Sequence, residues 1–349
     1  MILRAVRHLT RPLHRMDPEK LIPYAMFDLE HTQASLKSAK KMEYIYHRGQ
    51  ERAWDGKAVL EELLERHGGV SLAAEQIPPL RRLFAVIFWG ELAAWKVSAE
   101  LALELEPLEA KMAASSQAHD EARHFYVMHD YLQLLDYTPE HLPKAAHKIL
   151  HEILVADSLA KKLLGMQLMV EPVALTLFQL VRENNVEPVL CDLLKFYERD
   201  EARHVALGVN FLPMLIEKMG RRELLDFYLW QARMFMIQLD GVRELEEDFL
   251  ALGLNLDDVV RLGQIKQLHA GRLVLDRLGR NIPAEELLTR AVEFRIALDF
   301  PEIGAPRSRW KRWHSAIQVL LQNSNRSRDI QKELDGLEEG DVFGPSAAA

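Results

Sequence analysis

The sequence predicts an all-α protein, and three observations support this fold class. Apolar residues recur at intervals of three and four almost throughout the chain, which is the period of an amphipathic helix. The 349 residues include only 17 glycines and 15 prolines, so long helices are permitted. No segment of the sequence shows the apolar–polar alternation of a convincing strand. At roughly 150 residues per domain the length allows two domains, but no linker divides the chain, and one large helical domain with appendages fits equally well.

Prolines mark where the long helices begin and end. Pro78 and Pro79 indicate a helix start, because proline is tolerated in the first helical turn, and Pro107 stops the same helix. Pro188, after two asparagines, indicates the start of the last long helix. An interruption is expected at Pro213, and several further helices are expected after residue 220. The four long helices are predicted at about 77–106, 108–136, 158–183 and 188–220.

Composition and charge exclude several classes of protein. With 48% hydrophobic and 28% charged residues, the chain is not predicted to be disordered. Its net charge of −8 argues against nucleic acid as a partner. The longest clearly apolar run, 83–90, is far shorter than the ~20 residues of a membrane span. The single cysteine, Cys191, excludes an internal disulfide and predicts a reducing, cytoplasmic location. Any metal must therefore be bound by histidine and carboxylate.

The N-terminal 15 residues are basic. They contain Arg4, Arg7, Arg11 and Arg15 and no acidic residue, and they lack the uninterrupted apolar stretch of a secretory signal. The segment is interpreted as a surface tail or a packed helix, and the alternative is a peripheral contact with an anionic membrane.

A five-residue motif occurs twice, as Asp120–His124 and as Asp200–His204. In both copies Glu and His stand three positions apart, so both side chains lie on one helix face and can bind the same metal ion. One such pair is a weak signal, because many surface helices contain one by chance. The identical repeat favours a metal site.

A single glutamate precedes each motif by 30 residues: Glu91 before Glu121, and Glu171 before Glu201. Both upstream glutamates have apolar neighbours, where a carboxylate is costly to bury unless it meets a cation. Each predicted turn lies midway between the upstream glutamate and the glutamate of the motif. The chain therefore runs about 22 Å along one helix, turns, and runs the same distance back along the next helix, so the two glutamates lie at the same level. Two such hairpins place six ligands around one cavity of a four-helix bundle.

The charges of these six residues suggest which metal is bound. Four carboxylates neutralise two divalent ions, and two neutral imidazoles complete the set. Oxygen-rich ligands without thiolate fit iron or manganese better than structural zinc. We expect two iron ions, with a manganese–iron pair as the alternative. The competing interpretation is that these acids lie on the surface and bind no metal.

The residues beside the ligands also repeat. Asp120 and Asp200 can accept a hydrogen bond from a ligand imidazole, and Arg123 and Arg203 can pair with these aspartates across the hairpins. The alternative is that the four residues form ordinary Asp–Arg pairs on helix surfaces.

The duplicated D-E-x-R-H motif with its two upstream glutamates resembles the ferritin-like di-iron carboxylate superfamily. The motif is specifically similar to that of bacterial multicomponent monooxygenase hydroxylases and of oxidative magnesium-protoporphyrin ester cyclases. The resemblance covers 79–219, and it implies a ferritin-like four-helix bundle with additional C-terminal helices. It also implies that Glu121 and Glu201 bridge the metals as the catalytic carboxylates. The implied metal ligands are Glu91, Glu121, His124, Glu171, Glu201 and His204.

Some positions depart from the resembled families. Leu175 stands where the monooxygenases have a threonine four residues after the third-helix glutamate, and Thr176 follows it. Met128 stands where ribonucleotide reductase small subunits have a radical tyrosine, so no stored tyrosyl radical is expected. Tyr197 stands where related arylamine N-oxygenases have a third histidine.

Two features concern access to the predicted ligands. Pro172 should kink the third helix, which either opens space at the metals or serves packing alone. Large apolar residues at helical spacing are predicted to be core, with lining of a substrate pocket as the alternative. They are Phe84, Phe88, Trp89, Trp95, Met166, Met169, Phe178, Met234, Phe235 and Met236.

The resemblance implies an enzyme that reduces dioxygen and oxidises a small organic substrate by hydroxylation or a related oxidation. Electrons come from an external donor, a ferredoxin or a reductase, and a homodimer is expected. Two alternatives remain: an iron-oxidising, iron-storing or peroxide-scavenging protein, and a non-catalytic scaffold subunit of a larger oxygenase. The predicted parts are an N-terminal arm with helices (1–78), the di-metal bundle (79–219), a C-terminal helical extension packed on it (220–330) and a disordered tail (331–349).

Overall fold

A computed structural model of the protein describes residues 39–279, 283–300, 308–321 and 325–337, and every regular element in these ranges is helical. The predicted all-α class is confirmed. The helices are α1 (Lys40–Glu51), α2 (Gly56–His67), α3 (Ile77–Glu104), α4 (Leu108–Leu134), α5 (Lys144–Leu154), α6 (Leu159–Leu163), a π-helix (Leu164–Val170), α7 (Glu171–Glu183), α8 (Pro188–Ile216), α9 (Arg221–Glu244), α10 (Glu246–Ala251), α11 (Leu256–Leu278), α12 (Pro283–Asp299), α13 (Arg309–Leu321) and α14 (Asn325–Asp335).

Two helical hairpins form the central bundle. The first is α3 with α4, and the second is the continuous stretch of α6, the π-helix and α7 followed by α8. The turns lie at 105–107 and 184–187, where the prolines predicted them. The buried apolar side chains form two large clusters, and on α3 one cluster ends with Phe88 while the other begins at Ala93. A layer of buried polar residues lies between the two clusters.

The N-terminal helices pack on α4 and α8. Asp55 caps α2, since its side chain accepts a hydrogen bond of 3.0 Å from the Ala58 backbone N–H. The same helix ends at Gly68, whose φ of 72° favours glycine. The connection between α1 and α2 lies against the bundle at Trp54, whose indole N–H donates a hydrogen bond to Asp200 on α8. The basic arm with Arg4 lies outside the described residues, and so do its other arginines.

The C-terminal helices cover one side of the bundle. Helix α9 contacts α5, α11 contacts α7 and α8, and α12 contacts α9. Helix α13 packs on α12, and α14 packs on α11. Because α14 extends to Asp335, the predicted tail boundary at 331 is too early: residues 331–335 form the last turns of an amphipathic helix. Residues 338–349 lie outside the described part.

Among the described residues, one stretch, Leu159–Glu183, is long and apolar enough by composition to cross a membrane, because it contains an 18-residue segment with a mean hydropathy of 1.5. The stretch contains no long uninterrupted apolar run, because Gln167, Glu171 and Gln179 lie between its apolar residues. Of this 18-residue segment, 72% is buried in the protein. It is the third long helix of the bundle, and burial of this kind is typical of a core helix.

The π-helix Leu164–Val170 immediately precedes Glu171 and Pro172. Proline lacks the N–H that would continue the helical hydrogen bonds, so a local change of helix geometry is expected here. The Met169 carbonyl accepts hydrogen bonds from the side-chain amides of Gln238, at 3.1 Å, and Gln267, at 2.8 Å. The C-terminal helices therefore support the backbone two residues before Glu171.

The predicted interruption at Pro213 is wrong. Helix α8 continues through this proline to Ile216. The N–H that proline lacks removes a single helical hydrogen bond, and only one more turn of helix follows. Pro213 is also buried, so packing in the bundle stabilises the helix here.

Gly208 marks the closest approach of α8 to the π-helix. A Cβ atom at this position would lie 2.8 Å from Cβ of Gln167 and 2.9 Å from Cδ2 of Leu168. We expect Gly208→Ala to lower the free energy of unfolding by about 1–3 kcal/mol through overpacking. Urea denaturation measures the change.

Gly90→Ala is the matched control, because nothing lies within 4 Å of a Cβ at this helical position. This substitution should stabilise the protein by up to about 1 kcal/mol, since alanine is the better helix former. If Gly208→Ala raised the stability as Gly90→Ala does, the close helix contact would be refuted.

Candidate metal centre

The six predicted ligands meet in one buried cluster at the middle of the bundle. Helices α3 and α7 each contribute one glutamate, and α4 and α8 each contribute a Glu–His pair one helical turn apart. None of the six is more than 5% exposed. The residues are Glu91, Glu121, His124, Glu171, Glu201 and His204.

The cluster divides into two groups that share Glu121 and Glu201. His124 and Glu91 complete one group, and in each group the potential ligand atoms lie within 4.8 Å of one another. Nδ1 of His124 is 3.3 Å from Glu91 and 3.2 Å from Glu201.

His204 and Glu171 complete the other group. Nδ1 of His204 is 3.1 Å from both Glu121 and Glu201. Two adjacent metal positions with two shared carboxylates fit this geometry, as in four-helix di-metal proteins.

Both histidines are oriented by aspartates from the opposite hairpin. Nε2 of His124 is 3.2 Å from Asp200, and Nε2 of His204 is 3.4 Å from Asp120. Each ring thus directs Nδ1 into the cluster and Nε2 to a carboxylate. A carboxylate at the far nitrogen fixes the ring and makes it a better metal ligand.

Two arginines complete a crossed network behind the histidines. Arg203 donates hydrogen bonds of 2.8 Å to Asp120 and to Asp200. Arg123 donates a hydrogen bond of 2.9 Å to Asp200 and also bonds Asp120. All four side chains are buried. The surface-pair interpretation of these residues is therefore wrong, because the motif faces the centre of the bundle.

Several atoms of the cluster lack a hydrogen-bond partner among the described residues. They include Oε2 of Glu121, Nδ1 of His124 and Oε2 of Glu171. Burial raises the pKa of the Glu91 and Glu171 carboxyls well above their usual range, because no solvent stabilises the charged form. Buried carboxylates with unpaired oxygens fit bound cations, and the oxygen-rich, thiolate-free donor set fits iron and manganese.

The pKa values of the two imidazoles also indicate that a positive charge is stabilised in this cluster. Burial alone would lower the pKa of His124 and of His204, but the hydrogen bond of each ring to its aspartate and the attraction to the surrounding glutamates outweigh burial. Both pKa values lie well above the usual range for histidine. A metal ion at each Nδ1 would take the place of that proton.

Two glutamines that the sequence interpretation did not include form a hydrogen-bonded chain that ends at two of the cluster's glutamates. Nε2 of Gln117 donates to Glu121, at 3.1 Å, and to Glu171, at 2.8 Å. Nε2 of Gln167 in turn donates to the Gln117 side-chain oxygen at 3.2 Å. Each glutamine lies four residues before a ligand glutamate, and this spacing is the signal that could have found them.

Trp54 joins the site from outside the motifs. Its indole N–H donates a hydrogen bond of 2.7 Å to Asp200, and its ring lies under the Arg123 guanidinium at 4.8 Å. No local pattern could have indicated this contact, because 146 residues separate Trp54 from Asp200 in the chain.

Tyr197 is buried beside His124. The two rings stack at 4.2 Å, and the phenol donates a hydrogen bond of 2.6 Å to the His124 backbone carbonyl. This tyrosine therefore supports the histidine and does not extend the ligand set. Tyr126 lies on the other side of its helix and is 43% exposed.

An apolar cavity of about 200 Å³ begins at the four glutamates of the cluster. Its walls come from α3, α5 and α7 and from the C-terminal helices α9, α11 and α12. Met166 and Phe235 are the two residues of the predicted apolar set that line it. Thr176 also lines the cavity, with its hydroxyl donating to the Pro172 carbonyl at 2.8 Å, whereas Leu175 packs in the core.

Two solved structures share this arrangement of helices. One is a point variant of an R2-like ligand-binding oxidase with an aerobically reconstituted Mn/Fe cofactor. It aligns with a TM-score of 0.53 and 16% sequence identity over 65% of this chain and 92% of that chain. A second variant, with an anaerobically reconstituted Mn/Fe cofactor, aligns with a TM-score of 0.53 and 17% identity over the same shares.

No protein-family model matches the sequence, and no curated protein matches it either. At 16–17% identity the structural likeness establishes the fold. The predicted ferritin-like fold is confirmed, and this chain adds to it a buried carboxylate–histidine cluster suited to two metal ions.

Proposed function

We propose that the protein is a di-metal oxidase that reduces dioxygen and oxidises an apolar organic substrate by hydroxylation or a related reaction. The observation that supports this function is the continuity of the buried six-residue cluster with an apolar cavity. A site that joins redox-active metal ligands to an organic pocket suits oxidation of an organic molecule.

In this proposal His124 and Glu91 would hold one ion, and His204 and Glu171 would hold the other. Glu121 and Glu201 belong to both groups and would contribute to both positions. Two irons, or manganese with iron as in the similar solved structures, would supply the redox chemistry with dioxygen. The protein's own residues orient the ligands and bind the substrate in the cavity that begins at the cluster. The apolar walls of this cavity exclude water.

Iron storage is the alternative from another class. A storage protein passes hydrated iron through its site, and a polar path is needed for that ion. The cavity at the cluster is instead lined mainly by aliphatic and aromatic side chains. The scaffold alternative is disfavoured by the complete ligand set, since all six ligands are present and buried.

Oxygen consumption at defined iron loading tests the proposal against both alternatives. The protein is loaded anaerobically with ferrous iron, exposed to dioxygen and given further iron. We expect oxygen uptake to stop once two irons per chain have reacted. Continued oxidation of each new portion of iron would indicate a ferroxidase, and metal binding without oxygen uptake would indicate a scaffold.

An external electron donor is also part of the proposal. Trp54 is partly exposed, its indole bonds Asp200, and the same Asp200 oxygen contacts the His124 imidazole. These contacts form a continuous connection from the surface to a metal ligand.

The homodimer, the cytoplasmic location and the membrane contact of the N-terminal arm stay predictions.

Replacing Trp54 tests this connection. We expect Trp54→Phe to retain two irons per chain but to slow reduction of the oxidised iron centre by a reduced [2Fe–2S] ferredoxin at least tenfold, as measured by stopped-flow absorbance. Trp310→Phe is the matched control, because Trp310 is 83% exposed on α13, a helix that packs on α12. Equal reduction rates in the two variants would contradict the route.

A further inference from the structure

Gln264 is an unusual residue of the cavity wall. It lies on α11 and is 7% exposed, and neither its amide nitrogen nor its amide oxygen has a hydrogen-bond partner among the described residues. Burying an amide without partners is unfavourable, and an apolar side chain would suit this wall better. Such a group in a native protein indicates a ligand or water that satisfies it.

The other uncharged polar side chains on the wall are already engaged. Thr176 bonds the Pro172 carbonyl, and Gln238 and Gln267 both bond the Met169 carbonyl. Gln267 also donates to Gln238 at 2.9 Å. These three residues hold the backbone near Glu171. The Gln264 amide is the polar group of the described wall that has no such structural partner.

The position of Gln264 places it near the metal cluster. It precedes Gln267 by three residues, so both side chains lie on one face of α11. Gln267 contacts the backbone two residues before Glu171. Next to Gln264, a Cβ at Gly263 would lie 4.0 Å from Oγ1 of Thr176, five residues after Glu171. Gln264 thus stands about one to two helical turns from the cluster along the same wall.

The charge of the wall limits what Gln264 can bind. No lysine, arginine or histidine is among the described residues that line the cavity, and the ionisable groups there are the four glutamates of the cluster. An anionic head group at Gln264 would be buried without a cation, which is unfavourable. A neutral group that offers a donor and an acceptor side by side matches both free ends of the glutamine amide.

We propose that Gln264 is the substrate-recognition residue of the cavity, and that it binds the carboxamide-like group of a neutral, otherwise apolar molecule. The proposal rests on the proposed function, and it specifies the substrate class of the same site. The apolar part of the molecule fills the cavity and extends towards the metal cluster, while the amide group pairs with Gln264. Gln264 acts in binding and takes no part in the oxidation.

Ligand binding to the iron-loaded protein under anaerobic conditions tests this proposal without turnover. The probes are octanamide, N,N-dimethyloctanamide, which lacks the donor, and octanoate, which is charged at neutral pH. Isothermal titration measures the three dissociation constants. We expect octanamide to bind at least tenfold more tightly than either comparator.

Gln264→Met keeps the length of the side chain and removes the amide. We expect this variant to lose the preference for octanamide by at least tenfold, to retain two irons per chain and to melt at a higher temperature than the unliganded wild type. Gln331→Met is the matched control, because Gln331 is an exposed glutamine on α14. The control should bind the three probes as the wild type does.

Three outcomes would overturn the assignment: no binding of octanamide to the wild type, tighter binding of octanoate than of octanamide, or equal octanamide affinity in the wild type and Gln264→Met. These results are separable from failure of the proposed function. A wild-type protein that shows normal oxygen uptake but no preference for octanamide refutes the role of Gln264 alone, whereas a wild-type protein that prefers octanamide but takes up no oxygen refutes the oxidase function alone.

Discussion

Glu121→Ala is expected to yield a folded, helical protein that binds no iron. Glu121 belongs to both groups of ligand atoms, so its removal takes one carboxylate from each metal position. It also removes the acceptor of the Gln117 hydrogen bond. The remaining donors are too few to hold either ion, whereas the apolar clusters on both sides of the polar layer remain intact.

Iron analysis together with circular dichroism measures this effect. His204→Ala should also abolish bound iron, because His204 supplies the nitrogen ligand of one group and contacts both shared glutamates. Glu61→Ala is the control, since the Glu61 side chain is 66% exposed on α2. Unaltered iron content in both ligand variants would show that the ligand assignment is wrong.

Arg203→Met is expected to lower the free energy of unfolding by about 3–5 kcal/mol, because it leaves buried charges without their partner. The Arg203 side chain is only 2% exposed and bonds both Asp120 and Asp200. Of the two arginines that hydrogen-bond both aspartates, only Arg123 then remains. The aspartates also orient the two ligand histidines, so weaker iron binding should accompany the loss of stability.

Guanidinium denaturation of the iron-free protein separates stability from metal binding. Arg66→Met is the matched control: the Arg66 side chain is 54% exposed and pairs with Glu62 on the same helix. An exposed pair of this kind contributes about 0–1 kcal/mol. If both arginine variants changed the stability by the same small amount, the crossed network would have no structural importance.

That the six candidate ligands meet in one cluster could be predicted, because their placement depends on local geometry. The spacing of Glu121 and His124 fixes both on one helix face, and the 30-residue step from Glu91 returns the chain to the same height. Prolines mark the turn in each hairpin, so the lengths of the two helices on either side of the turn can be counted from the sequence. The second hairpin repeats the same relations.

Contacts between helices distant in sequence could not be predicted in the same way. That Asp200 meets His124, and Asp120 meets His204, depends on how the two hairpins pack. Trp54 reaches Asp200 through a connection between two N-terminal helices, which no periodicity encodes.

The effect of proline also depends on its tertiary surroundings. Pro172 closely follows a π-helix, Leu164–Val170, in which the Met169 carbonyl accepts hydrogen bonds from glutamines of the C-terminal helices. Pro213, by contrast, leaves its helix continuous. The sequence treats both prolines alike, but packing against other helices decides what each one does.

The metal-to-protein ratio after anaerobic reconstitution tests the central claim most directly. The full-length protein is incubated with ferrous iron, freed of excess metal and analysed by inductively coupled plasma mass spectrometry. Two irons per chain are predicted, one for each group of ligands. A ratio near zero, or tight binding of zinc alone, would contradict a di-metal redox centre in this bundle.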